Sequence, residues 1–285
     1  MQNVHFSPPE LSRMLGVNES TIKRWIDKGL LKAEKTPGGH RRVSKKDIQN
    51  FLKESTSLKN HSYLLSQWGK QTKQKEWEEY YDLHVNFQPE RARSMLIAKA
   101  IMRGSVQKVL EMIVVPALVE IGEAWNRGEI DIVDEHRVTF LIRGDLLALE
   151  ALLPEPKDTA PRIALACVPE ENHELMLIIL SLIAREKKWN SYVLGINVPL
   201  KEISRVLDER DVDALGITKI YQKTKSLTFI KEANKVAQKY DVQICVGGSG
   251  WNKQEQTVLK KLRNVSFATS LKEYGELLKS YIKKK

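Results

Sequence analysis

Two short apolar faces at helical spacing open the chain, and each is followed by a glycine. The first face ends at Gly16 and the second at Gly29. Ser7, Pro8 and Glu10 precede the first face in the order of an N-cap, a first helical position and a capping box. Two short helices joined by a glycine turn predict a helix-turn-helix. The apolar positions of these helices are Leu11, Met14, Leu15, Ile22, Trp25 and Ile26.

A polar hairpin follows the second helix. The run Pro37–Gly39 predicts a tight turn, and the next three residues project from it as a positive wing. Hydroxyls and cations on the second helix and on this wing have the reach for phosphates and base edges. The residues expected to face DNA are Ser20, Thr21, Lys23, Arg24, His40, Arg41 and Arg42.

A third helix is predicted to begin at Ser44 and Asp47 and to bury Ile48, Phe51 and Leu52. Residues 1–53 are therefore expected to form a mainly α winged helix-turn-helix domain. The run 54–62 is polar and aperiodic and is expected to be a linker.

Longer apolar faces at helical spacing occupy residues 63–156. One runs from Val106 to Ile121 and is interrupted by Pro116, and a second runs from Val138 to Leu149. Faces of this kind predict a four-helix bundle.

From residue 157 the pattern changes to short β-rich runs that alternate with amphipathic stretches. Strands are expected at 162–168, 191–194, 214–217 and 243–246, with a weaker one at 265–268. This alternation predicts that residues 157–285 form an α/β, doubly wound parallel sheet of the flavodoxin-like kind. Ligands of such sheets bind beyond the carboxyl ends of the strands.

Charge and composition narrow the class of protein. The chain has 285 residues and a formal net charge of +10. Residues 1–53 hold eleven Lys and Arg against five Asp and Glu, a net +6, so most of the excess lies in the predicted DNA-binding head. No run approaches the ~18 apolar residues of a membrane span, and no export signal is recognised at the start. Cys167 and Cys245 lie in apolar strands, which favours buried thiols in a cytoplasmic protein.

One candidate ligand site follows the first strand of the sheet. Glu171 and His173 are two residues apart at the position that the topology favours for ligands. A carboxylate can hold the proton of one ring nitrogen and leave the other nitrogen to bind a metal. The alternative is a solvated loop histidine.

A second candidate site lies in the bundle. Trp125 is followed after nine residues by Glu135 and His136, which fall in the first turn of a predicted helix. The positive end of the helix dipole favours a neutral imidazole there. The alternative is a core tryptophan beside an unrelated exposed pair.

The segment from Phe6 to Phe51 resembles the DNA-binding head of MerR-type regulators. The resemblance depends on the helix-turn-helix, the Gly29-Leu30-Leu31 step and the wing from Gly38 to Arg42 taken together. It implies that the head acts as a dimer or tetramer on a two-fold site in double-stranded DNA.

The order of the domains resembles that of the cobalamin-binding regulators attached to MerR-type heads. The spacing of the motifs supports this resemblance: Trp125 is followed after nine residues by Glu135-His136, and Glu171-x-His173 comes later in the chain. This family includes light-sensing repressors of carotenoid genes. The resemblance implies adenosylcobalamin as cofactor, His173 as the cobalt ligand, and Trp125, Glu135 and His136 around the adenosyl group. The full set of cofactor-binding residues that it implies is Trp125, Glu135, His136, Glu171, His173, Thr218, Gly247 and Gly248.

The chain departs from the family pattern in the candidate pocket. Met176 stands where the lower motif usually has Gly, and Thr218 with the bulky run Lys219–Tyr221 stands where the family has Ser. Asn126 follows Trp125, and the residues up to His136 contain no histidine that could capture cobalt after loss of the adenosyl group.

Three functions compete at this stage. The leading hypothesis is a repressor whose oligomerisation and DNA binding are controlled by adenosylcobalamin, with light as a candidate signal. The alternative is a MerR-type regulator with a degenerate pocket that works through another ligand, a protein partner or dimerisation alone. A cobalamin-dependent enzyme subunit is disfavoured because the chain has a DNA-binding head and lacks a substrate barrel.

Overall fold

The protein divides at Pro154 into two compact units, Met1–Pro154 and Glu155–Lys285. A computed structural model describes residues 4–57, 75–221 and 226–282. Within these ranges, none of the helices combines the length and the apolar character that a membrane span requires.

The first unit begins with the winged helix-turn-helix. Its elements are β1 His5–Phe6, α1 Pro8–Leu15, α2 Glu19–Asp27, β2 Glu34–Lys35, β3 Arg41–Ser44 and α3 Lys45–Ser57. Strand β3 lies between β1 and β2 and pairs antiparallel with both. The predicted capping box is present, since the Ser7 backbone N–H donates to Glu10 Oε2 at 2.7 Å. Helix α1 ends at Gly16 with a φ of 63°, a conformation that glycine adopts readily.

The helical bundle follows in the same unit. Its elements are α4 Glu76–Val85, α5 Pro89–Arg103, α6 Val106–Val109, a π-helical turn Leu110–Val114, α7 Val115–Asn126 and α8 Ile132–Glu150. The π turn comes just before Pro116, whose ring excludes the ordinary hydrogen bond to the preceding turn. The predicted interruption near Pro116 is therefore a π-helical turn, and α6, this turn and α7 follow one another without a break.

The head packs directly on the bundle. Helices α1 and α3 both contact α5. A Cβ added to Gly16 would lie 2.6 Å from Ser94 Oγ, so this close approach requires glycine. Gln49 Nε2 donates to the Met102 carbonyl at 3.1 Å, and Lys45 Nζ donates to the Leu152 carbonyl at 3.0 Å. Helix α3 runs to Ser57, so the first residues of the predicted linker are helical, and residues 58–62 lie outside the described ranges.

A buried carboxylate ties the bundle together. Asp145 on α8 accepts hydrogen bonds from Tyr80 Oη at 2.8 Å, His84 Nε2 at 2.9 Å and Arg93 Nε at 2.8 Å. Tyr80, His84 and Asp145 are fully buried. Burial, together with the Asp145 charge, raises the pKa of Tyr80 well above its ordinary value, so Tyr80 is a hydrogen-bond donor. Helices α4 and α5 are thereby joined to α8 by polar contacts as well as by apolar packing.

Replacing Asp145 with Ala is expected to lower the free energy of unfolding of the first unit by about 3–5 kcal/mol, because it leaves buried donors and the Arg93 charge unpaired. Urea denaturation monitored by circular dichroism measures the change. The exposed carboxylate Glu123 on α7 is the matched control, and its replacement with Ala should change stability by less than ~0.5 kcal/mol. A loss below 1 kcal/mol for Asp145→Ala would contradict the central role of this carboxylate.

The second unit is a doubly wound parallel sheet, as the sequence predicts. Its strands are β4 Arg162–Cys167, β5 Asn190–Gly195, β6 Ala214–Thr218, β7 Gln243–Gly247 and β8 Val265–Ala268. They lie in the order β5-β4-β6-β7-β8, and every neighbouring pair is parallel. The helices are α9 Leu175–Glu186, α10 Leu200–Glu209, α11 Leu227–Lys239, α12 Lys253–Leu259 and α13 Leu271–Ile282.

The topology of the sheet directs attention to the loop after β4. This strand lies between β5 and β6. The chain leaves β4 towards β5 on one side of the sheet and leaves β6 towards β7 on the other side, so the loops after β4 and β6 diverge and a crevice can form between them. The residues that follow β4 are Val168–Glu174, which include the predicted ligand pair. The sheet thus presents this loop at its ligand-binding edge.

Both cysteines are buried and free. Burial, assisted at Cys167 by the neighbouring carboxylates Glu171 and Glu174, raises the pKa of each thiol to about 12. The prediction of two buried thiols is confirmed.

Neither thiol should be alkylated by iodoacetamide at pH 8 in the folded protein, because the reactive thiolate is absent and the sulfur is covered. Mass spectrometry should detect two labels per chain only after unfolding in urea. Fast alkylation of either cysteine in the native state would contradict the burial described here.

Candidate DNA interface and corrinoid site

The recognition surface of α2 is open to solvent. Ser20, Lys23 and Arg24 are exposed and Thr21 is half-buried, while Ile22 and Trp25 on the opposite face enter the core. Lys23 pairs with Glu19 one turn earlier at 2.7 Å. This face can therefore offer hydroxyls and at least one cation, Arg24, to a duplex without rearrangement of the head.

Carboxylates of the helix-turn-helix hold the wing. Arg41 Nη2 lies 2.6 Å from Asp27 Oδ1 at the end of α2, and Arg42 Nη1 lies 3.4 Å from Glu10 Oε2 on α1. His40 is exposed, and its backbone N–H donates to Thr36 Oγ1 at 3.2 Å. The hydrogen bond from the Ser7 backbone contributes most to lowering the pKa of Glu10, and the Arg42 charge contributes less. The Arg41–Asp27 pair thus links the wing to the end of the recognition helix.

Arg24 and Arg41 should therefore differ in their contribution to the salt dependence of DNA binding. For Arg24→Gln, the slope of log K against log salt concentration should weaken by about 0.9, the value for one lost phosphate contact. For Arg41→Gln, the change should be less than half as large, because Asp27 already compensates the Arg41 charge.

Fluorescence anisotropy on a short duplex at several salt concentrations measures both slopes. Lys235→Gln, which removes one exposed positive charge from the second unit, controls for net charge. Equal slope changes for Arg24→Gln and Arg41→Gln would contradict the assignment.

The β4–α9 loop presents an imidazole in a defined orientation. His173 Nδ1 is hydrogen-bonded to Glu171 Oε1, and the His173 backbone N–H also donates to this oxygen at 3.2 Å. The Glu171 side chain is fully buried, whereas the His173 side chain is 55% exposed. No described residue provides a hydrogen-bond partner for Nε2. A carboxylate that accepts a hydrogen bond from Nδ1–H keeps that proton on Nδ1 and leaves the lone pair on Nε2, the arrangement in which an imidazole binds a metal.

Glu171 also fixes the neighbouring loop. Its Oε2 accepts hydrogen bonds from the Ile220 and Tyr221 backbone N–H groups, both at 2.7 Å. Burial alone would raise the pKa of Glu171, but the hydrogen bonds from His173, Tyr221 and Ile220 together lower it below its ordinary value. The carboxylate therefore stays ionised and holds the loops after β4 and β6 in one arrangement.

The predicted residues after β6 and β7 are packed against one another. Thr218 is buried. A Cβ on Gly248 would overlap the Lys219 carbonyl oxygen, and a Cβ on Gly247 would lie 3.2 Å from the Ala268 carbonyl oxygen. The contact with Lys219 thus requires glycine at position 248, whereas a side chain at position 247 would be only slightly crowded.

A buried lysine cluster beside these glycines was not anticipated from the sequence. Lys219 is fully buried, and its Nζ lies 3.1 Å from Glu255 Oε1 and 4.7 Å from the centroid of the Trp251 ring. Trp251 Nε1 donates to the Gly247 carbonyl at 2.9 Å. The sequence signal was a lysine directly after the predominantly apolar strand Ala214–Thr218, a position at which an unpaired charge would be costly.

The bundle places its predicted residues on either side of one short loop. Trp125 lies in the last turn of α7 and is 46% exposed, and Asn126 ends the helix. Glu135 and His136 lie in the first turn of α8, where the Asp131 side chain accepts from the Asp134 N–H at 2.7 Å. Thr139 Oγ1 donates to Glu135 Oε1 at 3.0 Å, and the His136 side chain is 74% exposed.

Arg137 anchors this end of α8, a role that the sequence analysis missed. Its guanidinium donates to the His84 carbonyl at 3.1 Å and the Val85 carbonyl at 3.3 Å, and it lies 3.9 Å from the centroid of the Phe87 ring. An arginine that satisfies the last carbonyls of α4 fixes the first turn of α8. The orientation of Glu135 and His136 therefore depends on this contact.

Two family models match the chain. Residues 6–56 match the helix-turn-helix domain model, and residues 77–150 match the B12 binding domain model. The first match covers the head and the second covers the bundle from α4 to α8. The helix-turn-helix identifies the chain as a DNA-binding regulator.

Curated relatives share most of the length of the chain. It is 23% identical over 232 residues to the HTH-type transcriptional repressor CarH of Myxococcus xanthus, which is 73% of this chain and 77% of that protein. It is 25% identical over 256 residues to the HTH-type transcriptional repressor CarA of the same organism, which is 84% of this chain and 85% of that protein. Both relatives are named as repressors.

A solved structure supports the fold. The monomethylamine corrinoid protein of Methanosarcina barkeri superimposes with a TM-score of 0.56 at 11% identity, covering 72% of this chain and 97% of that one. The predicted resemblance is confirmed by these matches: the chain joins a helix-turn-helix domain to a B12 binding domain and is similar along most of its length to the repressors CarH and CarA.

Proposed function

We propose that this chain is a transcriptional repressor whose oligomerisation and DNA binding are controlled by adenosylcobalamin, with light as the signal that ends repression. The observation that carries the proposal is the exposed His173 imidazole, whose Nδ1 is held by the buried Glu171 carboxylate. An ionised carboxylate that accepts a hydrogen bond from Nδ1–H keeps the ring in one tautomer and makes Nε2 a stronger electron-pair donor to a metal. These residues would hold the cobalt of a cobalamin through His173 Nε2 if the cofactor were bound.

Adenosylcobalamin, when bound, supplies a cobalt–carbon bond that light can break. The chain itself contributes a fixed ligand on the sheet unit and a polar, aromatic group of side chains on the bundle. Trp125 offers an exposed indole face of the kind that covers flat ligands, and Glu135, held by Thr139, offers a hydrogen-bond acceptor. Arg137 keeps Glu135 and His136 in the first turn of α8.

Control through assembly follows from the size of the head. A single winged helix-turn-helix buries too little DNA surface for tight binding, and such heads gain affinity by pairing on two-fold sites. The recognition face of α2 is already exposed. A signal therefore acts by changing how many heads are held together, as a dimer or tetramer, with the recognition helix unchanged.

A second candidate function keeps the DNA binding and dispenses with cobalamin. It is favoured by Met176 in place of the family glycine and by the tight packing of Gly248 on Lys219. In this case the sheet unit serves dimerisation, a protein partner or another ligand.

Reconstitution of the purified protein with adenosylcobalamin in darkness separates the two candidates. We expect the wild type to retain a cobalt chromophore after gel filtration, to elute as an oligomer and to lose both oligomer and DNA affinity after illumination. His173→Ala should weaken retention at least tenfold, whereas Asn172→Ala, the exposed neighbour in the same loop, should leave it unchanged.

Failure of the wild type to retain the chromophore, with undiminished DNA binding, would favour the second candidate. Retention with an unchanged elution volume in the light would contradict light control and leave ligand binding in place.

A further inference from the structure

The carboxyl ends of the strands beside His173 are closed by the chain itself. Thr218 and Lys219, which end and follow β6, are 1% and 0% exposed, and Cys167 at the end of β4 is also fully buried. His173 and its neighbour Asn172 are exposed at the same edge. The edge therefore presents the exposed His173 imidazole beside residues that are packed and buried.

The glycines at this edge leave no room beside them. A Cβ on Gly248 would overlap the Lys219 carbonyl, and a Cβ on Gly250 would lie 2.8 Å from the Ile220 carbonyl carbon. The Lys219 side chain itself is fixed in place by Glu255 and Trp251. Withdrawing this lysine would break a buried ion pair, which is costly.

The face of the sheet under α9 and α13 is filled as well. A Cβ on Gly216, in the middle of β6, would lie 2.6 Å from Leu165 Cδ2. Helices α9 and α13 contact each other, and Tyr274 Oη donates to the Leu180 carbonyl at 3.3 Å between them. Tyr274 and Leu278 are buried in this layer. A bulky heterocycle could enter here only if the side chains that fill this layer moved.

We infer that His173 binds the cobalt of a corrinoid while the described residues of the sheet unit leave no slot for the lower nucleotide base, so the site accepts corrinoids irrespective of that base. This inference depends on the proposed function and specifies its ligand class. The base of a bound cobalamin remains outside the sheet and adds little binding energy.

The inference has a consequence for affinity. In cobalamin, the imidazole of His173 must displace the corrinoid's own benzimidazole, whereas in cobinamide, which lacks the nucleotide, it meets no such competitor. Where a protein buries the base, the added contacts compensate for this displacement and favour cobalamin. Where it does not, cobinamide binds as tightly as cobalamin or more tightly.

The test compares adenosylcobalamin with adenosylcobinamide on the full-length wild-type protein in darkness, with dissociation constants measured by absorption titration. We expect the Kd of adenosylcobinamide to equal or fall below that of adenosylcobalamin. A Kd for adenosylcobinamide more than tenfold above that of adenosylcobalamin would overturn the inference while leaving the proposed function intact.

Variants identify the ligand in both complexes. His173→Ala should raise both dissociation constants at least tenfold, and Asn172→Ala should change neither. If only the cobinamide complex survives His173→Ala, cobinamide is bound elsewhere and the inference is wrong. If the wild type binds neither corrinoid, the proposed function and the inference fail together.

Discussion

The ionised carboxylate of Glu171 is the contact on which the candidate corrinoid site depends. It is buried at the end of β4, and there it accepts hydrogen bonds from the His173 ring and from two backbone N–H groups of the loop after β6. A buried charge is tolerated only when it is fully satisfied. The same bonds that satisfy Glu171 therefore also fix the tautomer of His173 and close the sheet edge beneath it. Glu171 thus orients His173 and also holds the loops after β4 and β6 together.

Carboxylates also join separate segments in the first unit. Asp145 accepts hydrogen bonds from side chains of α4 and α5 in the bundle, while Asp27 and Glu10 form ion pairs with the wing arginines in the head. Each carboxylate joins segments that are far apart in sequence. The bundle is thus held by a buried carboxylate, and the wing of the head is held by ion pairs on the surface.

Much of this arrangement is predictable from the sequence, because it depends on local pattern. The capping box at Ser7, the glycine that ends α1 and the alternation of strands and helices after residue 157 are all encoded within a few residues of where they act. The pairing of Glu171 with His173 is also local. The C-terminal helix α13 was not among the predicted elements, and the structure shows that its residues Tyr274 and Leu278 are buried.

The interactions that escaped prediction are between residues distant in sequence. Arg137 contacts carbonyls of α4, more than fifty residues away. Lys219 meets Glu255 and Trp251 only because β6 and β7 are neighbours in the sheet. The contact at Gly248 could not be predicted for the same reason. A glycine pair after a strand indicates that something approaches closely, and only the fold shows that it is the Lys219 carbonyl.

The contact between Gly16 and Ser94 constrains how this protein can be re-engineered. The segment between α3 and α4 would be the obvious place to exchange one DNA-binding head for another and so redirect the regulator to new promoters. A transplanted head, however, must offer a residue without a side chain at the end of its first helix, and it must also supply partners for the Met102 and Leu152 carbonyls. A head with a different operator specificity can therefore be transferred only together with the surface of α5 that it contacts.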